Sequence, residues 1–484
     1  MSALLAGSGV QTLLVLGIAL VGGALMLLVL RRLPRTAVAV WLVVLSLVPV
    51  WSGVPLGGYY LPPSTIAAVL VILAIVPVPG FRVSPLDALV VLMTAAGFAG
   101  VVVGGGAGVG MSTLVTFLTY ALPGYLLGRL AAHRIGMASL HALVAVVSTV
   151  VAVLAVAEFV SGGNPFVLLP GNAGLRETWA TLQGRGGIIR AEGAYGHSIA
   201  LGSALAIAIP LTLASRFRLP VRLGMTAVMM LAAVLTFSRV GMLGAVLGLA
   251  LSIVFLRDAI SLRVRATVTA GVVMVAAAVA PFVQSVFDDA GTEASNSSDY
   301  RGDLYSLVPG MGILGTTPDA HRGSDGRVFY GPFRSIDSQL VLTGLTFGLL
   351  VAAAVLVALA VGVWLVLRGR ATAATIALVA QIPALASVAL ITQYATLVWF
   401  LAGVAATSQI LRRDAREADA PPPDPVPARR EPPDADDPPA RADAPAAAAA
   451  GRGVPPARTA AGPGSGPRPA RTTALPPLPE RTPR

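Results

Sequence analysis

Three arginines stand at positions where a fixed positive charge could do chemistry. Arg190 lies just before an apolar segment, Arg239 closes the polar break at residues 236–239 between two apolar segments, and Arg301 lies midway along a long polar stretch. A guanidinium group is a planar fork of N–H donors that matches the oxygens of a phosphate. Several such forks at one membrane rim predict a site for the diphosphate head group of a lipid-anchored substrate.

Each of these arginines also has a plainer interpretation. Arg190 or Arg239 alone can extend to lipid head groups, as arginines at a membrane rim do. Arg301 can form a structural ion pair with Asp299 or Asp303, which flank it in the sequence. The remaining arginines expected on the same side are interpreted as solvated loop charges: Arg176, Arg185, Arg322, Arg327 and Arg334.

The sequence argues against several other kinds of site. It has no Cys, which excludes thiolate catalysis, Fe–S clusters and Cys-ligated zinc, and its four His in 484 residues argue against a His-based metal site. It has no phosphate loop of the Walker type, no HExxH and no recognisable nucleic-acid-binding motif. We therefore expect no metal, no cofactor and no nucleic-acid partner.

The composition is that of a membrane protein. Apolar residues make up 55% of the chain and charged residues 12%, whereas a soluble domain is typically about 25% charged. A helix needs about 20 mostly apolar residues to cross a bilayer, and thirteen segments come close to this length. They are roughly residues 10–30, 37–53, 63–79, 86–103, 112–128, 137–158, 197–215, 221–236, 239–256, 266–283, 339–367, 371–391 and 394–410.

These segments predict an all-α fold, a polytopic membrane helix bundle of about 12–13 transmembrane helices over residues 1–410. Two connections are long and polar, at residues 159–196 and 284–338, and the second is the predicted large extracytoplasmic loop. Residues 411–484 have a different composition, because 19 of the 37 prolines lie within 412–484. A segment rich in Pro and charge cannot bury a core, so we predict a disordered tail.

The arginines also predict the orientation of the bundle. Alternate connections carry them, at residues 31–35, 82, 129–134, 216–222, 257–265, 368–370 and 412–416. Under the positive-inside rule these connections are cytoplasmic, which places the C-terminus inside and the two long loops outside. We expect a multi-pass protein of the cytoplasmic membrane, in contact with membrane lipids.

The order of short motifs over residues 185–350 resembles a known family. Arg190-x-x-Gly leads into an apolar segment, Thr-Phe-Ser-Arg239-x-Gly separates two more, and a large loop opens with Tyr-Arg301-Gly-Asp and closes on Ile-Asp337-Ser-Gln. This order is similar to that of the O-antigen ligase and polymerase superfamily, which assembles bacterial surface polysaccharides. The first 160 residues agree with the family only as a series of hydrophobic segments.

The resemblance implies a glycosyl transfer that requires neither metal nor nucleotide. The donor would be a polyprenyl-diphosphate-linked glycan, and a hydroxyl of a glycan or lipid acceptor would attack its anomeric carbon at the outer face of the membrane. Arg190, Arg239 and Arg301 match the family's arginine positions, which implies that they stabilise the leaving diphosphate.

The resemblance also implies a base near the acceptor hydroxyl. Ligases of the family often have a His-Asn or similar pair where the large loop returns to the membrane, whereas this chain has Asp337-Ser338. A carboxylate can act as the base, so Asp337 is the first candidate and His321, in the same loop, is the alternative. This difference favours a polymerase or related transferase over a strict ligase. His197 could line the acceptor path or be a buried histidine bonded to backbone, and Glu158 is a weaker candidate for an arginine partner.

Three other functions stay open. A transporter or flippase of lipid-linked saccharides would need polar residues near the centres of its membrane segments, and these centres are largely apolar. A transferase that uses polyprenyl monophosphate would tend to have paired acids in its first outer loop, and residues 52–62 contain none. A non-enzymatic scaffold would act through the proline-rich tail.

Overall fold

The computed structural model describes residues 21–56, 59–103, 108–185, 187–256, 303–323 and 328–418, with residues 17, 266, 270, 281 and 300. Most of these residues are helical, so the prediction of an α-helical protein is confirmed. The chain divides into a compact unit of residues 1–420 and a second unit of residues 421–484. The predicted tail lies outside the described residues from residue 419 onward.

The helices follow the predicted apolar segments closely. Residues 21–32 are helical, and after them come α1 (Pro34–Leu47), α2 (Pro63–Ile75), α3 (Pro85–Val103), α4 (Val109–Thr116), α5 (Leu122–Ile135), α6 (Met137–Ser161), α7 (Ala173–Trp179), α8 (Ser198–Leu213), α9 (Leu219–Leu235), α10 (Arg239–Phe255), α11 (Gln339–Phe347), α12 (Leu349–Leu367), α13 (Ala373–Ala380), α14 (Ile382–Ser387) and α15 (Thr392–Ala418). A π-helical turn, Phe117–Ala121, joins α4 to α5.

The strands form three small antiparallel hairpins in the connections. They are β1 (Val54–Leu56) with β2 (Tyr59–Leu61), β3 (Gly184–Arg185) with β4 (Ile188–Ile189), and β5 (Ala320–Arg322) with β6 (Val328–Tyr330). The last of them belongs to the described part of the predicted large loop. There Leu304, Met311, Tyr330 and Ile336 pack on α11 in an apolar cluster of their own.

Five helices in the described part of the chain are long and apolar enough to cross a membrane. They are Pro85–Val103, Val109–Ile135, Met137–Ser161, Leu349–Leu367 and Thr392–Ala418. Six shorter apolar helices accompany them: Pro34–Leu47, Pro63–Ile75, Ser198–Leu213, Leu219–Leu235, Arg239–Phe255 and Ala373–Ser387. The chain is thus a helical protein with several candidate membrane helices, and the larger count of 12–13 stays a prediction.

Two of the predicted segments are interrupted. The segment 339–367 divides at Gly348, whose φ of +93° ends α11 and starts α12. The segment 371–391 divides into α13 and α14 at Gln381, because Pro383 cannot donate the backbone hydrogen bond that a continuous helix needs. The segment 266–283 and most of 10–30 lie outside the described residues.

Glycines allow the central helices to approach closely. A methyl group on Gly128 of α5 would lie 2.1 Å from the carbonyl oxygen of Phe400 in α15, and one on Gly403 would lie 2.2 Å from the carbonyl oxygen of Tyr125. Small residues four apart, such as Gly124 and Gly128, are the usual means of close helix packing in membranes. Helix α8 lies in the core of the bundle, because α6, α9, α10 and α13 bury nearly all its residues.

Contacts between connections fall into two groups, as expected if the helix bundle has two opposite membrane faces. On one face the Trp51 indole donates to the Leu169 carbonyl oxygen at 3.2 Å, and the Gln393 amide donates to the carbonyl oxygens of Val48 and Ala194 at 3.0 and 2.8 Å. Leu169, Ala194 and Gln393 lie in connections that the charge pattern predicts to be outside, and Val48 and Trp51 lie at the end of the predicted segment 37–53 that leads into such a connection. Which face is cytoplasmic stays a prediction.

The connections predicted to be inside also contact one another. Arg82 forms an ion pair with Asp414 at 2.7 Å, and Arg412 donates to the Gly369 carbonyl oxygen at 3.3 Å. These contacts hold the end of α15 against the connections before α3 and after α12. Helix α15 therefore extends past residue 410, where the sequence predicted the bundle to end.

The close packing of α5 on α15 predicts the effect of one methyl group. Gly128→Ala forces the two backbones apart, and we expect it to lower the stability of the detergent-solubilised protein by about 1–3 kcal/mol. Gly224→Ala in α9 is the matched control, because nothing lies within 4 Å of the added methyl group. Thermal unfolding measures both variants, and equal Tm values for the two would contradict the packing.

Candidate functional site

The turn between α9 and α10 (residues 236–238) is the place where the arginine segments meet. Arg190 is buried, with 7% of its surface exposed, and its Nε donates to the Thr236 carbonyl oxygen at 2.9 Å. The amide of Ala191 donates to the Leu235 carbonyl oxygen at 3.2 Å. Two adjacent residues of the long connection 159–196 are thus bonded to the end of α9.

Arg239 and Arg185 lie at the same turn. Arg239 is the first residue of α10, after Ser238, whose hydroxyl caps the helix by accepting from the Gly241 amide at 3.1 Å. The Arg185 Nη1 donates to the Phe237 carbonyl oxygen at 3.4 Å. Arg185, expected to be a solvated loop charge, thus bonds to the turn that Arg190 also contacts and that Arg239 follows, and a joint role of Arg190 and Arg239 at one ligand stays a prediction.

Backbone geometry fixes where this turn lies. Phe237 has a φ of +46°, a conformation that a bulky residue adopts only where its surroundings enforce it. Behind the turn, α8 and α10 approach so closely that a methyl group on Gly241 would lie 2.9 Å from the Gly202 Cα. The start of α10, which carries Arg239, is therefore held against the buried helix α8.

Glu158 holds the chain that follows Arg190. The two carboxylate oxygens of Glu158 accept from the amides of Glu192 and Gly193, at 3.0 and 2.8 Å. The Asn164 amide donates to the Gly193 carbonyl oxygen at 3.0 Å. The sequence offered Glu158 as a partner for an arginine. In the structure, its carboxylate instead accepts hydrogen bonds from two backbone N–H groups.

Glu192 is a site residue that the sequence did not single out. It is 1% exposed, and its carboxylate accepts a hydrogen bond from the backbone amide of Gln183 at 3.0 Å. Burial raises its pKa to about 7, and the nearby Glu158 charge adds to this, while the Gln183 bond and Arg190 lower it. A carboxyl that titrates near neutral pH beside an arginine cluster is typical of functional sites. In the sequence, its position two residues after Arg190 is the feature that could have identified Glu192 as a site residue.

His197 serves as the N-cap of α8. Its Nδ1 accepts from the Ile199 amide at 3.1 Å, which matches the interpretation of a histidine bonded to backbone. Because Nδ1 accepts this bond, the other ring nitrogen of the neutral imidazole carries the proton.

The two predicted bases lie in the other long connection. Asp337 is exposed and accepts from the Ser335 hydroxyl at 3.0 Å. His321 is exposed, 3.2 Å from the Asp319 carbonyl oxygen, and stacks on Phe329 with ring centroids 5.7 Å apart. Within the described residues, none of these contacts joins Asp337 or His321 to the turn at residues 236–238.

Arg301, the third predicted arginine, lies outside the described residues. Its neighbour Tyr300 is described, and the Tyr300 hydroxyl donates to the Ser335 carbonyl oxygen, two residues before Asp337. The chain next to Arg301 is therefore held beside the segment that carries the candidate base.

Arg129 belongs to a separate buried cluster. The sequence assigned it to a cytoplasmic connection, but it lies within α5 and is fully buried. Its Nε and Nη2 donate to the two Asp87 oxygens at 2.9 Å each, and its Nη1 donates to the Thr407 hydroxyl at 2.7 Å. Tyr125 donates to the same carboxylate. These bonds join α3, α5 and α15, so Arg129 stabilises the bundle.

No metal site is found among the described side chains, since no three His, Asp or Glu are grouped as ligands there. The groups that remain are a set of guanidiniums at one turn and two carboxyls behind it. Such a set can hold an anion, because the positive charges and the N-terminus of α10 act in the same direction.

The raised pKa of Glu192 predicts a pH dependence. The stability gained from its protonated form is present below pH 4.5 and is lost as the pH rises through about 7. Glu192→Gln keeps the acceptor oxygen and removes the charge, so we expect it to be more stable than the natural protein at pH 8, by roughly 2–3 kcal/mol, and similar at pH 5. Tm values at the two pH values measure this. Glu177→Gln, an exposed acid on α7, is the control, and an equal pH profile for all three proteins would contradict the assignment.

Comparison with known proteins adds no assignment. The sequence matches no family model and no curated protein. The resemblance to the O-antigen ligase and polymerase superfamily therefore rests on the residues themselves.

Proposed function

We propose that this protein transfers or polymerises a polyprenyl-diphosphate-linked glycan onto a hydroxyl acceptor at the outer face of the cytoplasmic membrane. The observation that carries the proposal is the meeting of Arg185, Arg190 and Arg239 at the turn between α9 and α10. The guanidinium groups of Arg185 and Arg190 bond to two carbonyl oxygens of this turn, and Arg239 is the residue that directly follows it. This charge density suits a diphosphate better than a single phosphate or carboxylate.

The reaction makes one bond and breaks one. The acceptor oxygen attacks the anomeric carbon of the donor sugar, the bond from that carbon to the diphosphate oxygen breaks, and the polyprenyl diphosphate leaves with the bonding electrons. Negative charge grows on the leaving oxygen, so fixed positive charges stabilise the transition state more than the ground state. Arg239 is exposed at the start of α10 and is the arginine we place in contact with the diphosphate.

The proton of the acceptor hydroxyl goes to a base. We assign this role to Asp337, which is exposed and lies directly before the N-cap of α11, with His321 as the alternative. Arg301 would complete the arginine set from the same loop. The proposal therefore needs the large loop to bring the acceptor to the turn at residues 236–238 when substrate is bound.

The apolar helices support a membrane protein, and the proposal adds the orientation. The connections at residues 159–196 and 303–338 would be extracytoplasmic, and the end of α15 would be cytoplasmic. The transport of lipid-linked saccharides is the alternative function.

Arg239→Lys tests the diphosphate contact. Lysine keeps the charge but replaces the two-pronged guanidinium by a single ammonium group, so we expect the activity to fall roughly tenfold or more. The readout is surface polysaccharide in cells that lack the chromosomal copy. Single repeat units left on lipid would indicate a polymerase, and full-length lipid-linked chains would indicate a ligase.

The control for this variant is Arg176→Lys. Arg176 is exposed and donates to the Val167 carbonyl oxygen, away from the turn, and we expect full activity. Full activity of Arg239→Lys would contradict the diphosphate contact. Movement of lipid-linked saccharide across reconstituted vesicles without glycan transfer would favour the transporter.

Removal of the tail separates the enzyme from a scaffold. A chain cut after Ala420 keeps α15 with its ion pair from Asp414 to Arg82, and we expect it to keep most of its activity. A chain cut after Ile410 loses Arg412 and Asp414, and we expect a lower Tm because the end of α15 is released. Both are measured by polysaccharide output and protein level, and loss of function at normal protein level after the first cut would favour a scaffold.

A further inference from the structure

A cleft of about 480 Å³ is lined, within the described residues, by none of the arginines assigned to the diphosphate. Its walls come from the β1–β2 hairpin, the helix α4 with the π-helical turn after it, and strand β5 of the large loop. Its principal polar and aromatic lining residues are Tyr59, Tyr60, Ser112, Thr116, Tyr120 and Arg322. The hairpin and strand β5 belong to connections predicted to lie outside the membrane, whereas α4 and the π-helical turn belong mostly to the apolar segment predicted at residues 112–128, at the end that starts from an outer connection.

One tyrosine of the cleft holds the wall in place. The Tyr60 hydroxyl donates to the Val50 carbonyl oxygen at 2.6 Å and accepts from the Gly53 amide at 2.5 Å. These two bonds tie the β1–β2 hairpin to the turn before it. The Tyr60 ring is therefore held in one position, and its hydroxyl has no donor left for a ligand.

The other hydroxyls behave differently. Within the part of the chain that the structure describes, the side-chain hydroxyls of Tyr59, Ser112, Thr116 and Tyr120 make no hydrogen bond to protein. Each of them can donate one bond and accept others. Four such groups facing one concave space form a binding surface for a ligand that is itself rich in hydroxyls.

The π-helical turn explains how Tyr120 reaches the cleft. Residues Phe117–Ala121 form this turn inside the otherwise α-helical stretch Val109–Ile135. Such turns are rare, disturb the regular hydrogen bonding and are found most often at functional sites. Here the turn supplies both Thr119 and Tyr120 to the wall. A helix without it would rotate these two side chains relative to Ser112 and Thr116.

The residue types that line the cleft indicate which class of ligand it can bind. A lipid tail needs an apolar wall, whereas this wall combines three tyrosine rings with free hydroxyls. A sugar ring offers hydroxyl groups at its edge and flat C–H faces that pack on aromatic rings, so it matches both features. Arg322 is the one charged residue of this lining, which also accommodates an acidic sugar or a phosphate substituent.

We propose that this cleft binds a saccharide segment of the glycan, at a site separate from the arginine turn. Saccharide binding rests on the cleft itself, and the assignment of that saccharide to donor or acceptor rests on the proposed function. The glycan would be held by several sugar contacts in addition to its diphosphate, which positions a long chain for transfer.

Photochemical crosslinking in the protein's own cells tests this binding with the natural ligand. The photoreactive residue p-benzoylphenylalanine replaces Tyr59, which keeps an aromatic ring in the cleft. The control places it at Leu168, which is 80% exposed in another connection predicted to be outside. After irradiation, the full-length protein is purified and stained for carbohydrate by periodate oxidation.

We expect carbohydrate on the protein crosslinked at residue 59 and at least tenfold less at residue 168. Mild acid cleaves the bond between a sugar and its diphosphate, so release of polyprenyl diphosphate from the adduct identifies a lipid-linked glycan, and an adduct that releases no lipid identifies an acceptor or product without the diphosphate lipid. An adduct without carbohydrate at residue 59, or equal carbohydrate at both positions, would overturn the proposal.

A second variant shows that the cleft itself is responsible. Ser112→Trp fills the space from the opposite wall, and we expect it to remove the carbohydrate adduct at residue 59 while the protein level and Tm stay normal. An undiminished adduct contradicts the cleft. Should Ser112→Trp fail to fold, Ser112→Leu, which removes a hydroxyl with less bulk, is expected to reduce the adduct severalfold.

The crosslink at residue 59 of the otherwise natural protein, compared with the activity of the separate Arg239→Lys variant, distinguishes the two proposals. A carbohydrate adduct at residue 59 in a protein whose Arg239→Lys variant is fully active supports the cleft and contradicts the diphosphate contact. The absence of that adduct, with Arg239→Lys inactive, contradicts the cleft alone.

Discussion

The bond from the buried Arg190 guanidinium to the Thr236 carbonyl oxygen is the interaction on which the rest of the candidate site depends. A guanidinium cannot lose its proton under ordinary conditions, so its charge stays when it is buried and must be met by polar partners. Here the partner is the carbonyl of a strained turn, and the neighbouring amide of Ala191 bonds to the end of α9. The loop, the turn and the start of α10 are therefore held as one element.

Arg190 and Arg239 differ in burial, and we therefore assign them different roles. Arg190 has its Nε committed to protein and contributes position and electric field, whereas Arg239 is exposed at the end of a helix and can contact a ligand directly. Behind them, Glu158 is occupied by two backbone amides, and Glu192 is partly neutral at pH 7 because its pKa is raised. Two acids, one of them partly neutral, offset less charge than the three arginines at the turn carry, so the site keeps a positive charge and favours an anion.

The sequence predicts the helical elements and the position of Arg239 at the start of a helix, because both follow from local patterns. Apolar runs give the helices, and a polar break of a few residues between two such runs leaves Arg239 at a helix start. Two breaks inside continuous apolar runs were not predicted. The break at Gly348 depends on a backbone angle, whereas the break at Gln381 has a signal in the sequence, Pro383.

The contacts that sequence reasoning missed join residues through tertiary packing. Arg185 reaches the Phe237 carbonyl oxygen only because the β3–β4 hairpin turns it back, and Arg129, at the edge of an apolar run, looks like a loop charge until α3 and α15 surround it. The cleft brings Tyr59 to Tyr120 across 60 residues of sequence and depends on a π-helical turn. No periodicity in the sequence indicates that turn. Asp337, His321 and Arg301 stay predictions for a different reason, since their part in the reaction depends on how the loop lies when substrate is bound.

The rigidity of the arginine turn bears on the choice between a transferase and a transporter. A transporter must expose its site first to one side of the membrane and then to the other, with two bundles moving about the ligand. The turn at residues 236–238 is bonded to the connection 159–196 through Arg185, Arg190 and Ala191, and α10 packs on the buried α8 through Gly202 and Gly241. Movement of α10 would break a buried arginine bond and separate two backbones in contact, which is costly in a protein interior. A site held in this way favours a reaction at one face, where fixed charges stabilise a transition state without reorganisation.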